Sequence, residues 1–147
     1  MKSFKYVLLT IVSFLCFFCL TANSGEEKVE RIFIHVNDEV LICECADNTS
    51  SGALMDKLKA GDLNLDMSDY GGFEKVADLG FSLPQNNEPM HTSAGDVILY
   101  LGKTFSIYYG QNSWNLTRIG KITNKNEAEL KSILGNSDIS IRLSLKQ

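Results

Sequence analysis

Apolar and polar residues alternate with a period of two through most of the chain. Ile32, Ile34 and Val36 alternate with Arg31, Phe33 and His35, which predicts a strand over 30–36. The turn pair Asn37-Asp38 follows, and residues 39–46 (EVLICECA) read as the hairpin partner. Leu63, Leu65 and Met67 alternate with Asp62, Asn64 and Asp66, the pattern of a half-buried strand. Residues 96–101 are almost all apolar and suit a strand covered on both faces. Gly102-Lys103 turns into a strand over 104–109, residues 116–123 (LTRIGKIT) give another, and Ile139, Ile141, Leu143 and Leu145 mark the last.

Two segments change period. Residues 51–60 place Leu54 and Leu58 one helical turn apart, with Ser50 or Ser51 as the N-cap and Gly61 beyond the end. Asn124-Lys125-Asn126-Glu127 has the form of a capping box, and Leu130, Ile133 and Leu134 supply an apolar face before Gly135. The longest stretch without a period runs over 70–95 and holds both prolines, which reads as a packed, functional loop region. Seven or so strands with two short helices predict a mainly β fold, a closed or nearly closed barrel with helices over its ends. A two-layer sandwich fits the same alternation.

The first residues do not belong to this pattern. Lys2 and Lys5 precede an apolar run from Tyr6 to Leu20, and Ala22-Asn23-Ser24 puts small residues before a cleavage point. Fifteen apolar residues fall short of the roughly 20 that span a bilayer, and neither Cys16 nor Cys19 has the small upstream neighbours of a lipid-attachment site. We read 1–24 as a signal peptide and 25–147 as one exported domain with no membrane span after cleavage. The chain carries 18 acidic against 14 basic residues, a net charge of −4. That balance excludes the usual nucleic-acid binder, which concentrates positive charge against phosphates. Beyond the leader only Cys43 and Cys45 remain. Their spacing puts both on one strand face, where a disulfide is strained, and they read as small buried hydrophobes.

Three stretches carry a family resemblance. Ala46-Asp47-Asn48 leads into the first helix, and residues 67–76 (MSDYGGFEKV) follow a strand. Residues 95–100 (GDVILY) and 105–110 (FSIYYG) then precede 116–120 (LTRIG). In this order they resemble the bacterial cyclophilin-like domain family, small proteins similar in fold to peptidyl-prolyl isomerases, over nearly all of 30–145. The resemblance implies a closed cyclophilin-type β-barrel capped by two helices, with no established activity. The signature of true cyclophilins, F-H-R-V with F-M-x-Q-G-G downstream, is not matched. His35 is followed by Val36, and Arg31, Arg118 and Arg142 stand in unrelated contexts. Isomerisation must lower a barrier of about 18–20 kcal/mol, which takes a donor to the prolyl nitrogen. Arg118 is the candidate for that alternative reading, a divergent prolyl isomerase.

Motifs for other chemistry fail on their spacing. Asp62-x-Asn64-x-Asp66-x-Ser68 begins like a calcium loop, but Met67 and Phe73 stand where Gly and Glu are needed. His35 and His91 are the only histidines and form no metal motif; His91 is the better acid–base candidate. No nucleophile elbow or P-loop occurs, and no cofactor or metal is expected. The residues left are aromatic and charged: Tyr70, Phe73, Glu74 and Lys75 around Gly71-Gly72, then Tyr109, Trp114 and Arg118. We expect them to hold a peptide or small ligand at the barrel mouth, between the 70–75 loop and the turn from Tyr109 to Trp114, without catalysis.

Overall fold

The computed structural model describes residues 28–135 and 137–147, so the leader expected at 1–24 and its cleavage point lie outside the described residues. The order is β1 (Arg31–Val36), β2 (Glu39–Cys45), α1 (Thr49–Ala60), β3 (Leu63–Tyr70), β4 (Glu74–Asp78), β5 (Glu88–Thr92), β6 (Asp96–Tyr100), β7 (Thr104–Tyr108), β8 (Asn112–Ile122), α2 (Glu127–Leu134) and β9 (Ile139–Ser144). Neighbours run β2-β1-β9-β3-β4-β7-β6-β8, and β8 pairs back onto β2, so eight antiparallel strands form a hydrogen-bonded ring. Closure leaves these eight strands without a bare edge. The open sandwich that also fitted the alternation is thereby excluded.

Alternation sorts the side chains. Ile32, Ile34, Leu41, Leu65, Met67, Val97, Leu99, Phe105, Ile107 and Leu143 converge inside the ring as one buried core. The tightest seam is where β8 meets β2. A Cβ on Gly120 would run into the Glu44 carbonyl and come within 2.6 Å of Cys43 Sγ, so the closing pair needs a glycine. Cys43 is buried there, Cys45 is only half-buried against the core, unlike the sequence reading of both as buried, and both remain thiols.

Two strands break the sequence expectation of one long loop over 70–95. β4 (EKVAD) carries charge toward both faces, which hides its period. β5 contains Pro89, tolerated because β5 pairs only with β8 and is an edge. The polar residues before Leu116 likewise continue β8, which starts at Asn112 and not at 116. Only its far half closes the ring. Its near half departs from the barrel, after an irregular pairing between Val97 and Ile98, to pair with β5.

Both helices bury leucines in the barrel core, Leu54 and Leu58 from α1 and Leu130 and Leu134 from α2. Their caps correct the sequence reading. α1 is capped by Asn48, whose side chain accepts from Ser51 N at 2.9 Å and donates to Arg118 O at 2.7 Å. Ser50 and Ser51, expected as caps, are buried instead, donating to Pro84 O and Ile119 O. The capping box of α2 is Asn126 with Glu129. Asn124 bridges to β2 through Ile42 N and Val40 O. No helix of the described residues is long and apolar enough to cross a membrane.

Candidate functional site

An aromatic-lined cavity sits against the outer face of the barrel wall and not at the barrel mouth, where the sequence reading placed the site. Phe105, Ile107 and Tyr109 point into the core, so Thr104, Ser106 and Tyr108 on β7 point outward. By the same alternation β4 turns Lys75 and Ala77 in, and Glu74 and Val76 out. The departing half of β8 covers this face with Asn112, Trp114 and Leu116. Tyr70 and Tyr100, at the ends of β3 and β6, complete a cavity of about 380 Å³. Below it lies a small second core of Ile98, Tyr108 and Leu116, with Phe73 and Met90 against it.

The turn between β3 and β4 sets one wall. Gly71 and Gly72 both adopt the left-handed region, at φ 63° and 71°, where a side chain is strained. That tight turn puts Tyr70 directly opposite Glu74 in the ladder. Phe73 does not line the cavity but braces it. Its ring meets Tyr70 edge-on at 6.0 Å and Tyr108 at 5.9 Å, and its carbonyl accepts from Tyr109 N and Gly110 N. The rim rings, Tyr70 and Trp114, are each about 60% exposed. Glu74 is 7% exposed and is the one carboxyl among the lining side chains, which include no lysine, arginine or histidine. Burial raises its carboxyl above the ordinary range, while hydrogen bonds with Ser106 and Tyr108 pull it back. Burial also raises the Tyr108 hydroxyl to about 12, against the pull of Asn112.

Of the seven residues expected from sequence, the structure therefore brings Tyr70, Glu74 and Trp114 into one cavity, with Phe73 as support. Lys75 and Tyr109 go to the other side of the wall. Lys75 is wholly buried, donating to Asp69 at 2.9 Å and to Ser137 O at 2.6 Å, and Tyr109 donates to the same Asp69. Arg118 stays on the outer face but outside the lining. Its guanidinium donates to Asp96 at 2.5 Å and leans on Met90 Sδ. Asp96, 2% exposed, also accepts from Lys121, so this group pins β6 to β8. His91 is exposed on β5 against Ser113. The sequence reading missed Val76, Tyr100, Thr104, Ser106, Tyr108, Asn112 and Leu116. The signal for three of them was the alternation in residues 104–109, which sets Thr104, Ser106 and Tyr108 on the face opposite Phe105.

A second cavity, about 410 Å³, lies where residues 28–30 pass Cys45 and the start of α1, and it has no aromatic wall. Among the described residues no group of three or more His, Cys, Asp or Glu side chains is placed to hold a metal ion.

Comparison with known proteins gives the family. A family model described as "Cyclophilin-like family" matches residues 34–146. The solution structure of a hypothetical protein from Archaeoglobus fulgidus aligns with a TM-score of 0.59, covering 82% of this chain and 98% of that one at 17% identity. At that identity the likeness speaks of fold alone. No curated protein matches. The chain belongs to the cyclophilin-like family.

Proposed function

From membership of the cyclophilin-like family as premise, we propose that this chain is an exported, non-catalytic binding module that takes a peptide or small ligand in the outer-wall cavity. The observation that carries the reading is the cavity itself. About 380 Å³ falls in the range of ligand pockets, and exposed rings surround a few convergent polar groups. Exposed tyrosine and tryptophan offer large, stiff contact area at little entropic cost. Export rests on the charged, then apolar, then small-residue order of the leader.

Binding without bond chemistry is favoured over a divergent isomerase by the state of Arg118. Its guanidinium is engaged by Asp96 and stands outside the lining, so no arginine faces a prolyl nitrogen in this cavity.

The test is an amide chemical-shift titration against a panel of peptides and small metabolites, with a coupled proline-isomerisation assay alongside. We expect bound compounds to shift Tyr70, Tyr108 and Trp114 together while isomerisation stays at background. A panel whose binders all shift residues elsewhere would overturn the site. Isomerisation above background that Arg118→Ala abolishes would establish the enzyme instead.

A further inference from the structure

The chemistry of the cavity restricts what it can hold. Four rings border it, from Tyr70, Tyr100, Tyr108 and Trp114, and the one ionisable carboxyl inside is that of Glu74. No lysine, arginine or histidine lines it. A carboxylate nine-tenths buried usually has a cationic partner, and among the described residues Glu74 has none in any ion pair. Its neighbours are the hydroxyls of Ser106 and Tyr108. The nearest lysine in sequence, Lys75, is turned to the opposite side of the wall and held by Asp69. The rings are equally without a cation: the two cation–π contacts among the described residues use Phe81 and Tyr109, neither of which borders the cavity.

Ring faces present negative charge to a bound group, and a buried carboxylate adds a full negative charge on the same side. An anion would gain from neither, and a neutral donor would gain a hydrogen bond to the carboxylate but no charge–charge attraction. Resting on the binding-module reading above, we infer that the cavity recognises an organic ammonium cation, its charged head against Glu74 and its carbon skeleton between Tyr70, Tyr100 and Trp114. A head group with alkyl substituents suits this arrangement better than a small inorganic cation. It presents a weakly hydrated surface to the rings, and a metal ion would find only one carboxylate here.

Choline and neohexyl alcohol, the isostere in which carbon replaces the nitrogen, separate charge from shape. Titrated into the wild-type protein and followed by Trp114 fluorescence and amide shifts, choline should bind at least about tenfold more tightly than the alcohol. Both should perturb Tyr70, Tyr108 and Trp114. In Glu74→Gln, checked for an unchanged amide spectrum, choline should lose most of its advantage while the affinity for the alcohol stays as it was. Equal affinities on the wild type, both at the cavity, would overturn the ammonium inference while leaving a binding module for neutral ligands. Preference for choline that is undiminished in Glu74→Gln would remove Glu74 from the recognition. No response at the cavity to either probe would overturn the inference, and the wider peptide and metabolite panel then decides the module reading separately. The wild-type comparison needs no variant, so a poorly folded Glu74→Gln does not shield the proposal.

Discussion

Inside the barrel, Lys75 and Asp69 face each other across β3 and β4, and exposure alone misleads about which partner matters more. Lys75 is wholly buried, whereas the Asp69 side chain is 22% exposed. Removing the buried partner looks the harsher change, yet the reverse should hold. Lys75→Met places an apolar chain of similar length in an apolar barrel. Asp69 then keeps the Tyr109 hydroxyl and its access to water, and the main loss is the donor to Ser137 O. That is the size of one lost hydrogen bond, about 1–2 kcal/mol. Asp69→Asn instead leaves an ammonium deep in the barrel with only neutral oxygens to meet it, which costs about 3–4 kcal/mol because a buried charge without its counter-charge has nowhere to be solvated. With a urea slope of about 2 kcal/mol/M for a domain of this size, the two unfolding midpoints should differ by about 1 M. Far-UV circular dichroism reads this directly. A second signature comes from acid. The Tyr109 hydroxyl, then Lys75, hold the Asp69 carboxyl below the ordinary carboxylate range, against its partial burial. Its stabilisation is therefore complete above the unfolded value of about 3.9 and is lost as pH falls through the lower folded one. Asp69→Asn should lack that acid loss. A Lys75→Met variant that unfolds at the same urea concentration as Asp69→Asn, or lower, would refute the reasoning.

Three further outcomes follow from the same geometry. Glu74→Gln should raise stability at neutral pH. Burial lifts the folded carboxyl above its unfolded value, so its contribution is full below about pH 4.3 and lost as pH rises; the gain should therefore vanish at pH 4, and a variant less stable than wild type at pH 7 would contradict this. Gly120→Ala should destabilise by about 1–3 kcal/mol and loosen amide protection first along the β2–β8 seam, since its methyl group meets the Glu44 carbonyl; a neutral substitution would mean that the seam relaxes without cost. The thiols should be slow toward a disulfide reagent in the folded protein. Burial drives Cys43 well above the ordinary thiol range and, with Glu30 nearby, Cys45 to about 11; reaction as fast as in the denatured chain would count against the packing described for them.

By itself the sequence determined most of the wall. Ile32 to Val36, Leu63 to Met67 and Ile139 to Leu143 bury one face each, and a two-residue period records that burial whatever their neighbours in space. The turn at Asn37, left-handed at φ 50°, and the apolar faces of both helices were legible for the same local reason. What failed were the places where tertiary contacts outweigh hydrophobicity. Glu74 and Lys75 sit back to back in β4, one turned out to an aromatic cavity and the other in to a buried ion pair, so a strand with charge on both faces carries no apolar rhythm. β5 keeps its proline because it is an edge, and the first half of β8 is polar because it lies outside the barrel. The cavity was half visible. Tyr70, Glu74 and Trp114 stood out as unusual residues, but the choice between Tyr108 and Tyr109 depends on which face of β7 meets the core. Alternation fixes only that the two tyrosines point to opposite faces. Which of those faces becomes inside is decided when the ring closes and distant strands compete for the same interior.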